Sequence, residues 1–278
     1  MNPTLGIAWA LVSALTWGTA DFAGGFAARR GHPFQILAIS AAAGIVMLIV
    51  IGWAFGEPLP SREDMFWAGA AGVSGSVGIA ALYRGLAIGS AAIVAPTAGV
   101  VTAVIPVVFS IVTAGWPSAM QCAGFVLAMI GIWLVASGGA DSPSRAAGLR
   151  VAALAGVGFG FFLILIAQVR EGLVFTPLAI GRGATLLTAL ALMAMTRQPL
   201  PARAAYPIGI IAGLLDAGGN VFFLLARQHV RIDVAAVLSS FYPAATVALS
   251  RLVLHERVSP SQWVGALACL AAIGLITR

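Results

Sequence analysis

Three ionisable side chains stand inside apolar runs of this sequence. Asp216 lies near the middle of residues 204–227, Asp21 late in residues 4–27, and Arg182 early in residues 176–196. A charge at the centre of a bilayer costs about 2.5–3.5 kcal/mol on insertion scales, so such groups face a protein interior or a wet cavity. Asn220 follows Asp216 by four residues and Asp21 follows Trp17 by four, which puts each pair on one helical face. A carboxylate facing a cavity can take up a proton from one side of a membrane and release it on the other. Asp216 is the first candidate for that role because it lies deepest, and Asp21 is the second. The plainer alternative is an internal Asp–Arg pair that only neutralises buried charge. Trp17, Phe159 and Tyr242 have small or polar neighbours that favour a cavity wall, and Tyr83 sits beside Arg84 near the end of a third run. Pro96, Pro106 and Pro243 fall inside apolar runs, where each removes a backbone hydrogen bond and loosens the helix, so they are candidate hinges.

Other chemistries find less support. Gly72-Val73-Ser74-Gly75 has the GxSG form of rhomboid-type intramembrane serine proteases, which need a membrane-embedded histidine as general base. The three histidines, His32, His229 and His255, all lie near loops. Asp21 and Asp216 lack the Tyr-Asp and Gly-x-Gly-Asp contexts of aspartyl enzymes of that kind. A channel would show a filter-like segment, and none is visible. Protease and channel remain the alternatives to a carrier. With no lysine there is no Schiff-base chemistry. Cys122 and Cys269 lie far apart in apolar runs and read as packing, not as a disulfide or metal pair. No cofactor is indicated.

The elements that must hold these residues follow from composition. Of 278 residues, 60% are hydrophobic and 9% charged, against about 25% charged in an ordinary soluble protein. So little polar material cannot cover a water-facing surface, and the lipid bilayer is the implied surroundings. The net charge of +6 comes from 15 basic and 9 acidic residues, without the basic cluster and interleaved aromatics of a nucleic-acid surface. The N-terminus lacks a basic n-region, so the first run reads as a retained span. Apolar stretches fall at about 4–27, 34–56, 65–88, 91–114, 118–138, 147–168, 176–196, 204–227, 232–254 and 259–277, and predict ten membrane helices. Gly69, Gly72, Gly75 and Gly78 spiral round the third and predict close backbone approach. No cation site of clustered carboxylates or broken-helix carbonyls is apparent.

The best linker, Gly138–Arg150, lies at the midpoint. A shift of 141 lays Pro58-Leu59-Pro60 on Pro199-Leu200-Pro201, Ala71-Gly72 on Ala212-Gly213, and Gly78 on Gly219. It also lays Ser118, Gln121 and Gly124 on Ser259, Gln262 and Gly265; a shift one residue longer lays Gly6 on Gly148 and Trp17-Gly18 on Phe159-Gly160. The chain therefore reads as two repeats, 1–140 and 141–278. Five spans is an odd number, so the second repeat enters from the opposite side, and inverted repeats are a carrier signature with the site near the midplane. The same shifts set Gly75 against Asp216, Ile79 against Asn220 and Leu163 against Asp21. The polar members occur in one half only, which favours function over scaffolding.

Leu15-Thr16-Trp17-Gly18-Thr19, and Leu254-His255-Glu256-Arg257 followed by Gln262 and Gly265, resemble the first-helix and last-loop patterns of the drug/metabolite transporter superfamily, EamA-type. The resemblance covers nearly the whole chain. It departs at Gly115-Trp116, where the repeat would place a charged pair. It implies an all-α basket of ten helices around a central cavity, with the last helix of each repeat peripheral. It does not imply one substrate, because members carry diverse metabolites. The sparse charge suggests a small neutral, zwitterionic or partly apolar solute, and a proton as the coupling ion if transport is active. Counting arginines, seven against five connector positions place both termini outside, whereas the resemblance implies both inside, the orientation expected. The setting expected is the inner membrane of a bacterial cell, as a monomer or loose homodimer.

Overall fold

The computed structural model describes residues 2–28, 32–88, 91–136, 145–201, 203–254 and 259–276. The first half holds α1 (Pro3–Ala28), α2 (Pro33–Ala54), α3 (Arg62–Ile88), α4 (Ala91–Ala114) and α5 (Ala119–Ala136). The second holds α6 (Arg145–Ile166), α7 (Phe175–Met195), α8 (Tyr206–Arg227), α9 (Ile232–Ser239), α10 (Tyr242–Leu254) and α11 (Pro260–Ile276), with a short 3-10 turn at Arg203–Ala205. No strand occurs among the described residues. By length and composition α1, α2, α3, α4, α7 and α8 can each cross a membrane; α5, α6 and α11 carry shorter apolar runs. Large apolar side chains stand on the outside, such as Val112 at 80% exposure, and Trp53, Phe55 and Trp116 near helix ends. Lipid is the solvent that such a surface suits.

Two expectations need correction. The ninth apolar stretch is two helices, not one: α9 stops at Ser239 and α10 starts at Tyr242. Proline explains the break, since Pro243 has no N–H to continue the α9 ladder and suits the start of a helix. A broken helix is therefore present where none was expected. In contrast, α4 runs unbroken through Pro96 and Pro106. The side chains of Tyr83, Pro96 and Pro243 lie outside the described residues, as do residues 255–258 and the linker at 137–144. Of the four spiralling glycines, Gly69 has open space around it and supports no close approach.

Repeat-equivalent residues do the same local work. Ser118 and Gln121 form a reciprocal cap at the start of α5, with Gln121 N–H donating to the serine hydroxyl (3.1 Å) and Ser118 N–H to the glutamine carbonyl (3.1 Å). Ser259 and Gln262 repeat it at α11, at 3.3 and 2.8 Å. The turns after α2 and α7 place Gly56 and Arg197 at φ +62° and +53°, the same position in each repeat.

Helix partners also come in exchangeable pairs. Swapping the halves turns α1 on α8 into α6 on α3, and α3 on α7 into α8 on α2. It turns α4 on α6 into the α9–α10 pair on α1, and maps α2·α7 and α5·α11 onto themselves. Glycine makes the tightest of these crossings possible. A Cβ on Gly72 would collide with the Gly181 backbone, and one on the equivalent Gly213 with the Ser40 backbone. Gly78 makes room for Phe159 as Gly219 does for Trp17, and Gly124 for Ile276 as Gly265 does for Val135. The small residues shared by the repeats are thus shared helix contacts.

Candidate functional site

A cavity of about 190 Å3 lies between the halves. It is lined by Trp17 and Asp21 from α1, Gly75, Ile79 and Leu82 from α3, and Thr102 from α4. The second half contributes Phe159, Phe162, Leu163 and Ile166 from α6, and Leu178, Gly181, Arg182 and Thr185 from α7. Asp216 and Asn220 from α8, with Ser240 and Tyr242 flanking the α9–α10 break, complete it. Every cavity residue expected from the sequence lines it except Tyr83, whose side chain is not described. Pro106 is buried in α4 away from the lining.

The lining is symmetric in position and asymmetric in chemistry. Trp17, Asp21, Asp216 and Asn220 form one wall on the packed pair α1 and α8. Their repeat equivalents Phe159, Leu163, Gly75 and Ile79 form the opposite wall on α6 and α3. One wall is polar and the other apolar, although the backbone geometry of the two is alike. Trp17 is held by stacking on Phe223, ring centroids 6.1 Å apart. Ser13 donates to the Gly219 carbonyl at 2.8 Å and fastens α1 to α8 behind that wall.

Arg182 and Asp216 form a salt bridge. The guanidinium is buried, whereas 37% of the Asp216 side chain faces the cavity. Gly44 of α2 lies beside the guanidinium, where a Cβ would stand 3.6 Å from the Arg182 Nε. Asn220 shares the Asp216 face, but its amide donates to the Asp216 backbone carbonyl at 2.7 Å, not to the carboxylate. Asp21 is open to the cavity, within electrostatic reach of Asp216 and Tyr242, and has no hydrogen bond or ion pair with the described residues. No group of three or more metal-ligating side chains occurs among the described residues.

Three polar clasps between the halves escaped the sequence reading. Glu57, after α2, accepts N–H bonds from Val174, Phe175 and Thr176 and the Thr176 hydroxyl, capping α7. Asp64, buried at the start of α3, pairs with Arg170 at 3.2 Å and accepts its backbone N–H at 3.1 Å. Arg231 binds the fully buried Asp233 at 2.9 Å and reaches Ser110 (3.2 Å) and the Gly115 carbonyl (2.9 Å) beyond α4. All three lie at one end of the bundle, by the ends of α2, α4 and α6 and the starts of α3, α7 and α9. Acids next to connectors look like ordinary loop charge in a sequence; only their reach across halves marks them.

Residues 4–137 and 146–278 each match the EamA-like transporter family. The chain belongs to that family. It is therefore a multi-pass membrane protein of transporter type with the EamA two-repeat architecture. Among curated proteins none matches its sequence. A solved crystal structure is similar over 98% of each chain, with TM-score 0.78 and 18% identity, a likeness of fold alone.

Proposed function

We propose that this EamA-family protein is a secondary carrier that moves a small metabolite, outward in the cell, by alternating access of the central cavity. The observation that carries this reading is the cavity wall itself: pairs of repeat-equivalent residues, one from each half, surround a single site. A site shared by two similar halves is exposed to either side when one half rocks against the other. The halves divide at 140/141, and the ten crossings run in opposite orientation in the two repeats. Supporting that orientation, α2·α7 and α5·α11 each pair an element with its own equivalent, so both pairs lie on the axis relating the halves. Two separate helix pairs on one axis fit an axis crossing the bundle, which inverts one repeat. The protein resides in the bacterial inner membrane as a monomer or loose homodimer.

Proton coupling goes to Asp21 before Asp216. The Arg182 bridge keeps Asp216 in use as a counter-ion, while Asp21 stands open to the cavity. Counterflow in proteoliposomes tests the carrier: preloaded substrate must accelerate uptake of label, and uptake must saturate. Uptake that grows linearly with concentration would instead indicate a channel. Ser74 of the GxSG motif donates to the Gly158 carbonyl at 2.8 Å, so the motif is read as an α3–α6 contact and not as a nucleophile.

A further inference from the structure

We propose that the cavity selects an organic monocation, an ammonium head on an apolar or single-ring aromatic body, with Asp21 as its counter-charge. This rests on the carrier reading and names its substrate class. The charged side chains among the described lining residues are Asp21, Asp216 and Arg182. Arg182 and Asp216 are joined to each other and cancel, which leaves the Asp21 carboxylate in excess. In a low-dielectric site an uncompensated charge draws a counter-ion strongly.

The walls divide in the way such a cation requires. Asp21 lies on the wall that also carries Trp17 one turn earlier, so a head at Asp21 has an indole ring on its own wall for cation–π attraction. Across the cavity, Phe159, Phe162 and Leu163 offer only apolar surface for the body. A substrate carboxylate finds no such reception. Arg182 is occupied by Asp216, and the start of α10 is not an anion cradle. There the Ser240, Phe241 and Ala244 N–H groups already donate to Ala236, Leu238 and Phe241 carbonyls, and Pro243 has none. The inverse preference, for an anion, would need Arg182 to leave its partner.

Three molecules of one shape decide it: phenethylamine, phenylalanine and 3-phenylpropionate, with binding measured by calorimetry on the protein in nanodiscs. Phenethylamine is expected to bind tightest. Asp21→Asn should weaken it by at least about tenfold, the worth of a charge-assisted contact, and Asp21→Glu should restore most of that. Stronger binding of phenylalanine or phenylpropionate by the wild type, or no binding of any of the three at millimolar concentration, overturns the inference without recourse to a variant. Unchanged amine affinity in a folded Asp21→Asn protein also overturns it. Counterflow with the same molecules separates the two readings. Amine binding without counterflow sinks the carrier and keeps the site, and phenylalanine counterflow without amine counterflow does the reverse.

Discussion

At Arg182 a guanidinium is almost wholly buried while its partner carboxylate keeps one side open to the cavity. The two residues therefore contribute unequally. Removing Asp216 leaves an unneutralised buried cation; removing Arg182 leaves a carboxylate that the cavity can still hydrate. Asp216→Ala should cost about 2 kcal/mol, below the 3–5 typical of a broken buried pair because Asp216 is partly open. Arg182→Ala should cost less, and the double variant should recover part of the loss. Thermal unfolding of the four proteins in one detergent checks this, and strictly additive losses would show that the bridge carries no coupling. Asp216→Asn, which keeps shape and removes titration, is expected to retain pH-driven accumulation if Asp21 is the coupling group. Loss of pH dependence with downhill exchange intact would return that role to Asp216.

Two helices differ from their neighbours in ways that motion would use. The α9–α10 break sits at the cavity, with Ser240 and Tyr242 on either side of it. Replacing Pro243 with Ala restores an N–H and favours one continuous helix, which should slow exchange between the two access states while leaving expression intact. Unchanged counterflow rates would remove this break from the mechanism. Gly213 and Gly69 make a paired test of packing. Gly213→Ala puts a methyl group into the Ser40 backbone and should lower stability by about 1–3 kcal/mol, because α2 and α8 must separate. Gly69→Ala meets open space and should be silent. Equal effects would mean that the glycine spiral acts through helix propensity and not through contact.

For the molecule as a whole, charged clasps lie at one end of the bundle, and in the proposed alternating-access cycle they are expected to hold that end closed. Glu57, Asp64–Arg170 and Arg231 each tie one half to the other there. At the opposite end the described links are neutral: Gln35 to the Pro199 carbonyl at 2.7 Å and Gln262 to the Val135 carbonyl at 3.1 Å. Weakening the charged end with Glu57→Gln and Asp64→Asn together should favour the state open at that end. A cysteine at Ile166 would then label faster from that side, and an unchanged rate would show that the clasps only brace the fold. Orientation has a direct check as well. Leu59 and Leu200, 84% and 82% exposed, occupy equivalent loops of the two repeats. In a background lacking Cys122 and Cys269, an impermeant maleimide on intact cells should label only one of Leu59→Cys and Leu200→Cys. Labelling of both, or of neither, would mean repeats of the same orientation.

Much of this was legible in the chain before folding was considered. Length and apolar composition require membrane helices, because only satisfied backbone crosses lipid. A shift of 141 that aligns caps and glycines requires two similar halves, since Ser118–Gln121 and Gly72 do their work within or between neighbouring helices. The rarity of charge inside apolar runs singled out Asp21, Arg182 and Asp216 one at a time. What the sequence could not supply was which of them meet. Arg182 and Asp216 are on different helices, and only the packing of α2 against both α7 and α8 brings them within an ion pair and leaves Asp21, on the same wall as Asp216, without a cation partner among the described residues. The clasps of Glu57, Asp64 and Arg231 were invisible for the same reason. A charge beside a connector has no sequence mark distinguishing one that faces solvent from one that reaches the other half, because that choice is made by tertiary contacts between segments more than a hundred residues apart.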